Sequence, residues 1–152
     1  MGIKIARVAT AIAGLTVTPA TIKDISAIPE EVTDRLCPIM FPDPAGFVSG
    51  LSVSRETFGA DSAASKNVEY TLNYIYLHCE SGAVRYITEA IDKMVDNAVI
   101  ILNAIANNST VDGAVDITPR ISGEFGQLTD PAGNSFFGCR ITVNVLEYYE
   151  VS

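Results

Sequence analysis

The apolar positions of this chain follow two different periods, and the switches between them divide it into elements. Near the start, Ile5, Val8, Ala9 and Ile12 recur at the i, i+3, i+4, i+7 spacing of one helix face. This predicts a helix over residues 3–14, closed by Gly14 in the left-handed conformation common just past a helix end. The next stretch, TVTPATIKDISAIPEEVTDRL, is mixed and broken by Pro19 and Pro29, which predicts loop with at most a short strand. CPIMFPDP opens as a strand and is cut off by Pro42 and Pro44. In GLSVSRETFG, Leu51 and Val53 alternate with Ser52 and Ser54, the pattern of a half-buried or edge strand. ADSAAS is small and polar, a flexible connection.

The strongest strand signal is NVEYTLNYIYLHC, residues 67–79. Val68, Tyr70, Leu72, Tyr74 and Tyr76 share one face, and Ile75 and Leu77 make the other face apolar toward the end. At roughly 3.3 Å per residue it is longer than a small core needs, so part of it is expected to project as a hairpin with 50–58. Residues 83–106 carry the strongest helix signal. Val84, Ile87, Ile91, Met94, Val95, Ala98, Ile101, Leu102 and Ile105 form a stripe, with Glu89, Asp92, Lys93 and Asp96 away from it. Ser81 suits its N-cap and Asn107-Asn108 its stop. GAVDITPRISGEFG (113–126) reads as another strand, with Pro119 at an edge or bulge. QLTDPAGN reads as a turn, and SFFGCRITVNVLEYYEVS as the closing strand. A C-terminal hairpin within 114–150 follows.

Helices and strands are segregated, not alternating. The expected fold is a single α+β domain over 1–152: an antiparallel sheet with two helices on one face, the 36–80 region supplying strands and long loops, and a projecting β-hairpin or long loop. Ile141, Val143 and Val145 are the expected core row of the closing strand, and Gly138 marks a bend or a close approach of another backbone. Leu146, Tyr148 and Tyr149 are left as surplus apolar surface for a neighbouring subunit to cover.

Charge narrows the function classes. The chain carries 18 acidic and 10 basic residues for a formal net charge of −8, and the basic residues are scattered. Gripping phosphates needs concentrated positive charge, so direct nucleic-acid binding is disfavoured. The tyrosines Tyr70, Tyr74 and Tyr76 therefore read as core or subunit-interface residues, not as a base-stacking platform. The three cysteines, Cys37, Cys79 and Cys139, are odd in number and unpatterned, which fits buried thiols in a reducing compartment. No run of apolar residues is long enough to span a membrane, and the amphipathic N-terminus does not read as a secretory signal.

Material for catalysis is thin. The single histidine, His78, adjoins Cys79, and neighbouring strand residues point to opposite faces, so the two make no nucleophile pair. Zinc-ligand spacing, a nucleophile elbow and a phosphate loop are all absent from the sequence. Glu30, Glu31 and Asp34, and Asp92 with Asp96, read as solvated surface charge. No catalytic residue, cofactor site or metal site is assigned.

The second half resembles a known family. The tyrosine-bearing strand, the helix 83–106, VDGAVDITPRISGEFG, a short turn and FFGCRITVNVLEYY follow the order seen in the tail-terminator (tail-completion) proteins of long-tailed bacteriophages. The closing strand matches through Phe136, Phe137, Gly138, Ile141, Val143 and Val145. The resemblance covers about residues 66–150; residues 16–60, with the acidic IPEEVTDRL, depart from it. It implies a non-enzymatic virion protein, assembled in the host cytoplasm into a ring, usually a hexamer. Such a ring caps the tail tube at its head-proximal end, stops tube polymerisation and joins the tail to the head connector, with DNA passing through the lumen without specific binding. Another neck or stopper protein, or a tube component, is the alternative within that class; a small-molecule-binding module or enzyme is the alternative outside it. Candidate interface residues are Tyr70, Tyr74, Tyr76, Leu146, Tyr148, Tyr149, Phe47 and Ser62, with the 43–50 and 59–66 loops expected to carry contacts.

Overall fold

The structure is a computed structural model that describes residues 5–55, 65–82, 87–107 and 120–150. In chain order the elements are α1 (Ile5–Ala13), β1 (Thr21–Ile22), β2 (Ile39–Pro42), β3 (Val48–Arg55), β4 (Ser65–Glu80), α2 (Ile87–Ala106), β5 (Arg120–Thr129) and β6 (Ser135–Glu150). Single turns of 3-10 helix at Ile25–Ala27 and Asp34–Leu36 lie between β1 and β2. The fold is α+β, with six strands in one sheet ordered β1-β2-β4-β6-β5 and β3 also paired to β4.

One pairing departs from the antiparallel sheet expected. β1 runs parallel to β2, with Thr21 opposite Ile39, whereas every other pairing is antiparallel. A parallel pair needs a connection of a dozen or more residues to bring the chain back to the same end. Residues 23–38 supply it, and that segment then packs across the end of the sheet.

β4 is long because it is paired along its length on both sides. β6 accompanies it from Ser65↔Glu150 to Glu80↔Phe136. On its other side β2 occupies Tyr74–Leu77 and β3 occupies Lys66–Leu72. The expected two-stranded projection is thus corrected to a three-stranded end, β3-β4-β6. Residues 56–64, including Ser62 and most of the 59–66 loop, lie outside the described residues, as do 83–86 with the start of the predicted helix and 108–119 with Pro119.

β2 and β3 together act as one interrupted partner of β4. Between them, Asp43 to Phe47 stand opposite the single residue Asn73, which closes the gap from both sides. The Asp43 N–H donates to the Asn73 carbonyl (2.9 Å), and the Asn73 N–H donates to the Phe47 carbonyl (2.7 Å). The Asn73 side-chain amide reaches into the excursion, donating to the Gly46 carbonyl (3.1 Å) and the Ser49 hydroxyl (3.0 Å). Further along, Gly50 takes φ +63 where the ladder shifts between Ser49 and Ser52, the left-handed glycine of a bulge.

Both helices lie on one face, as the periodicity predicts. Val8 and Ile12 of α1, and Met94, Ile101 and Ile105 of α2, cluster with Val68, Tyr70, Leu72, Tyr74 and Tyr76 of β4 and Ile141, Val143 and Val145 of β6. The strand residues are alternate positions, so one face supplies the whole set. Removing such side chains from water contributes about 1.5–3 kcal/mol each. Gly14 ends α1, its N–H donating to the Thr10 and Ala11 carbonyls, but its backbone is not left-handed as expected. On the opposite face a smaller cluster forms at one end only: Val32, Ile39, Phe41, Ile75, Leu77 and Phe136.

Gly138 fulfils the close-approach expectation. It sits opposite Leu77, beside the bulge that inserts His78 between Leu77 and Cys79. A Cβ on Gly138 would lie 1.9 Å from the Tyr76 carbonyl oxygen, so no larger residue fits. The β5–β6 turn is built on Asp130, whose carboxylate accepts from the Asn134 N–H (2.7 Å) and, across the chain, from the Val32 N–H (2.8 Å). Gly133 there takes φ +89.

Candidate interaction surface

The three tyrosines predicted for an interface are core residues of the chain itself. Tyr70, Tyr74 and Tyr76 are 2%, 0% and 0% exposed, covered by the chain's own helices. This corrects their assignment as subunit contacts. Alternating aromatics show that a strand face is covered, without showing which chain covers it.

Their hydroxyls are handled in three ways. Tyr70 donates to Glu147, a carboxylate buried on the helix side of β6 directly after the row Ile141, Val143, Val145. Burial, then this hydrogen bond and the carboxylate's charge, hold the Tyr70 phenol well above its ordinary value. The Tyr76 hydroxyl contacts His78 Nδ1 (2.8 Å) and also bonds Asn97 of α2. Burial raises Tyr76, with Asn97 pulling the other way. The Tyr74 hydroxyl is buried with no hydrogen-bond partner, while Phe47 packs edge-on against its ring at 5.3 Å. Burial and the nearby charge of Asp24 raise Tyr74.

The remaining candidates are spread along the molecule. Phe47 is half-buried against Tyr74 and the core. Leu146 is half-buried opposite Glu69. The backbones of Tyr148 and Tyr149 extend β6 opposite Asn67 and Lys66; their side chains lie outside the description. The 43–50 loop is held to β4 by Asn73, as described above.

Among the described residues the exposed large apolar side chains lie elsewhere: Ile25 and Leu36 in the segment before β2, and others on β3, α2 and β5. On one margin β3, whose strand partner among the described residues is β4, exposes Val48, Leu51 and Val53, the last two at 55% each. Val48 and Val53 stand opposite the core residues Leu72 and Val68, so they face the helix side, beyond the reach of the helices. On the other side α2 packs beside β5, where Phe125 is exposed, while Val99 and Ile100 lie on the side of α2 opposite its buried stripe of Met94, Ala98, Ile101 and Ile105 and face away from the sheet. The signals were in the sequence. Leu51 and Val53 alternate with serines, and Val99 and Ile100 are aliphatics that fall outside the buried stripe of α2.

Away from the Val32–Phe136 cluster, the face of the sheet turned away from the helices is polar, and several of its side chains bond one another. Thr71 donates to Asn144 Oδ1 (2.5 Å), and the Ser122 and Thr142 hydroxyls pair at 2.7 Å. Arg140 donates to Asp43 at 2.7 Å, and the Asp43 carboxylate also accepts from the Ala45 N–H. A cleft of about 200 Å³ beside this ion pair is lined by Ile75, Leu128, Thr129, Asp130 and Pro131 among others. Its charged groups are committed. Burial pushes the Asp130 carboxyl up, but hydrogen bonds from the backbones of Val32, Asn134 and Ala132 and from the Asn134 side chain outweigh it and hold the group below its ordinary value.

Among the described residues, no group of three or more His, Cys, Asp or Glu side chains is placed to hold a metal ion, and no helix is long and apolar enough to cross a membrane. The acids Asp92 and Asp96 are exposed on α2, as are Glu30 and Glu31 in the segment before β2. In comparison with known proteins, neither a family model nor a curated sequence matches the chain.

Proposed function

We propose that the chain is a structural virion protein of the tail-terminator kind, assembling side by side into a closed ring at the head-proximal end of a phage tail tube. The observation that carries this reading is the pair of unlike sheet edges. β3 exposes Val48, Leu51 and Val53 on one side, and β5, at the other edge, exposes Phe125. A ring is built from heterologous contacts, in which one surface of each subunit meets a different surface of the next. Two unlike edges on opposite sides of one sheet meet that requirement.

Two further features support it. The α+β order of elements agrees with the family resemblance in residues 66–150. The open sheet face carries neutral amides and hydroxyls that bond one another, with Arg140 held by Asp43, so it offers little grip to phosphates. A wall of this kind lets DNA pass without specific binding. The tail tube protein and the head connector are the partners this role requires.

Native mass spectrometry and negative-stain imaging of the purified chain test the reading. Closed rings are expected, and the double substitution Leu51→Ser, Val53→Ser should abolish them while leaving the circular dichroism spectrum unchanged. A homogeneous monomer at high concentration would overturn it, and open tubes would move the assignment to a tube subunit.

A further inference from the structure

We propose that β3 of one copy adds to the outer edge of β5 of the next, so that the sheets of adjacent subunits join into one continuous antiparallel sheet around the ring. This deepens the ring reading above and rests on it.

Both strands are outer strands: among the described residues β5 pairs with β6, and β3 with β4. An outer strand presents a row of backbone donors and acceptors to any strand laid beside it. Chains that stay apart blunt such edges with Lys, Pro, bulges or very short strands. β5 carries none of these. Arg120–Thr129 contains neither Lys nor Pro, and it pairs with β6 along its whole length without a register shift. β3 has a bulge between Ser49 and Ser52, beyond which residues 52–55 form a regular stretch, again without Lys or Pro.

Directions and faces of the two edges agree. β3 runs antiparallel to β4, whereas β5, two antiparallel steps from β4 through β6, runs the same way as β4. A rotation that keeps the sense of the strands along the ring axis therefore brings β5 and the neighbour's β3 together antiparallel, the slightly more stable pairing. Phe125 stands opposite Cys139 and Val53 opposite Val68, both core residues, so both side chains point to the helix side. They are 39% and 55% exposed. On the other side, Ser122 and Glu124 of β5 and Ser52 of β3 are exposed and polar. Joined edge to edge, the aromatic ring and the β-branched side chain meet across the seam, a pairing that stabilises neighbouring strands, and polar positions continue a polar face. Phe125 is level with Tyr76 of β4, through Cys139, and Val53 with Val68. Matching the two at every seam tilts the strands from the ring axis, as closure of a barrel requires.

The test uses Val53→Lys and Phe125→Glu in the full chain, read by native mass spectrometry and by amide hydrogen exchange. Each single variant should lose the rings with its circular dichroism unchanged, because a lone charge then faces an apolar partner. The double variant sets opposite charges across every seam and should recover them. In wild-type rings the alternate amides of residues 121–128 that point away from β6 should exchange slowly, and in the dissociated Leu51→Ser, Val53→Ser chain they should exchange fast. Rings that survive both single substitutions, no recovery in the double variant, or β5 amides that exchange equally fast in rings and in the dissociated chain would each overturn the edge pairing and leave the ring reading standing. A wild-type chain that forms no rings overturns both. If a single variant fails to fold, the amide exchange of the wild-type rings decides alone.

Discussion

The two ends of the long β4–β6 pair are stabilised in different ways. At the Tyr74–Glu80 end both faces of the sheet are covered, by the helices on one side and by the Val32–Phe136 cluster on the other. The backbones there approach so closely that only glycine fits at position 138. At the Ser65–Thr71 end, Thr71 bonds Asn144 on the face away from the helices, near exposed Glu69, and the margin strand β3 leaves its aliphatics in water. The first end is determined by packing within the chain, and the second retains apolar surface that packing within the chain does not use. Fold stability and assembly are therefore expected to depend on different ends of the same strands.

Substitutions test this division, beginning with the most severe. Gly138→Ala forces a methyl group against the Tyr76 carbonyl and should cost more than about 4 kcal/mol, or prevent folding, as read by urea denaturation. Asp130→Ala leaves the N–H groups of Val32 and Asn134 without their acceptor and should destabilise by about 2–3 kcal/mol. The same carboxylate gives a pH signature. Its folded-state pKa is lowered, so its contribution is complete above the ordinary value of 3.8 and lost as pH falls through the lowered one. Stability of the wild type should thus fall more steeply in acid than that of Asp130→Ala.

Two conservative changes on one face of β4 make a finer comparison. Tyr70→Phe removes the hydroxyl that donates to buried Glu147 and should cost about 1–3 kcal/mol. Tyr74→Phe removes a buried hydroxyl with no partner, and should leave thermal stability unchanged or slightly raised. Equal losses from both would mean that the Tyr74 hydroxyl has a partner after all. On the polar face at the level of Asn73, Ser122→Ala should change stability by no more than about 0.5 kcal/mol; a larger loss would show that the exposed Ser122–Thr142 pair contributes to the fold.

Elements with a strong local period were readable from the sequence. β4 spans Ser65–Glu80 where residues 67–79 were expected, Met94, Ala98, Ile101 and Ile105 of the expected helix stripe are buried, and the turn falls at Asp130–Asn134. The acceptance of a close backbone at Gly138 was legible because a glycine inside an apolar strand has few other uses. Long-range partnerships were not legible. Nothing in IMFP and VSGLSVSR shows that both segments lie along one strand on either side of Asn73, because that arrangement depends on hydrogen bonds between distant residues. The parallel placement of β1 was hidden for the same reason. For the candidate surface, the tyrosines outweighed the aliphatics as interface signals because aromatic residues are common at interfaces. Burial reversed that ranking, leaving Leu51 and Val53 exposed and the tyrosines inside.

The arrangement around Asn73 also bears on how the protein can be altered. The five residues from Asp43 to Phe47 are bracketed by bonds from one residue of β4, so the ladders of β2 and β3 are set independently of the length of chain between them. Extra residues inserted between Pro44 and Gly46 would lengthen the excursion without shifting either register.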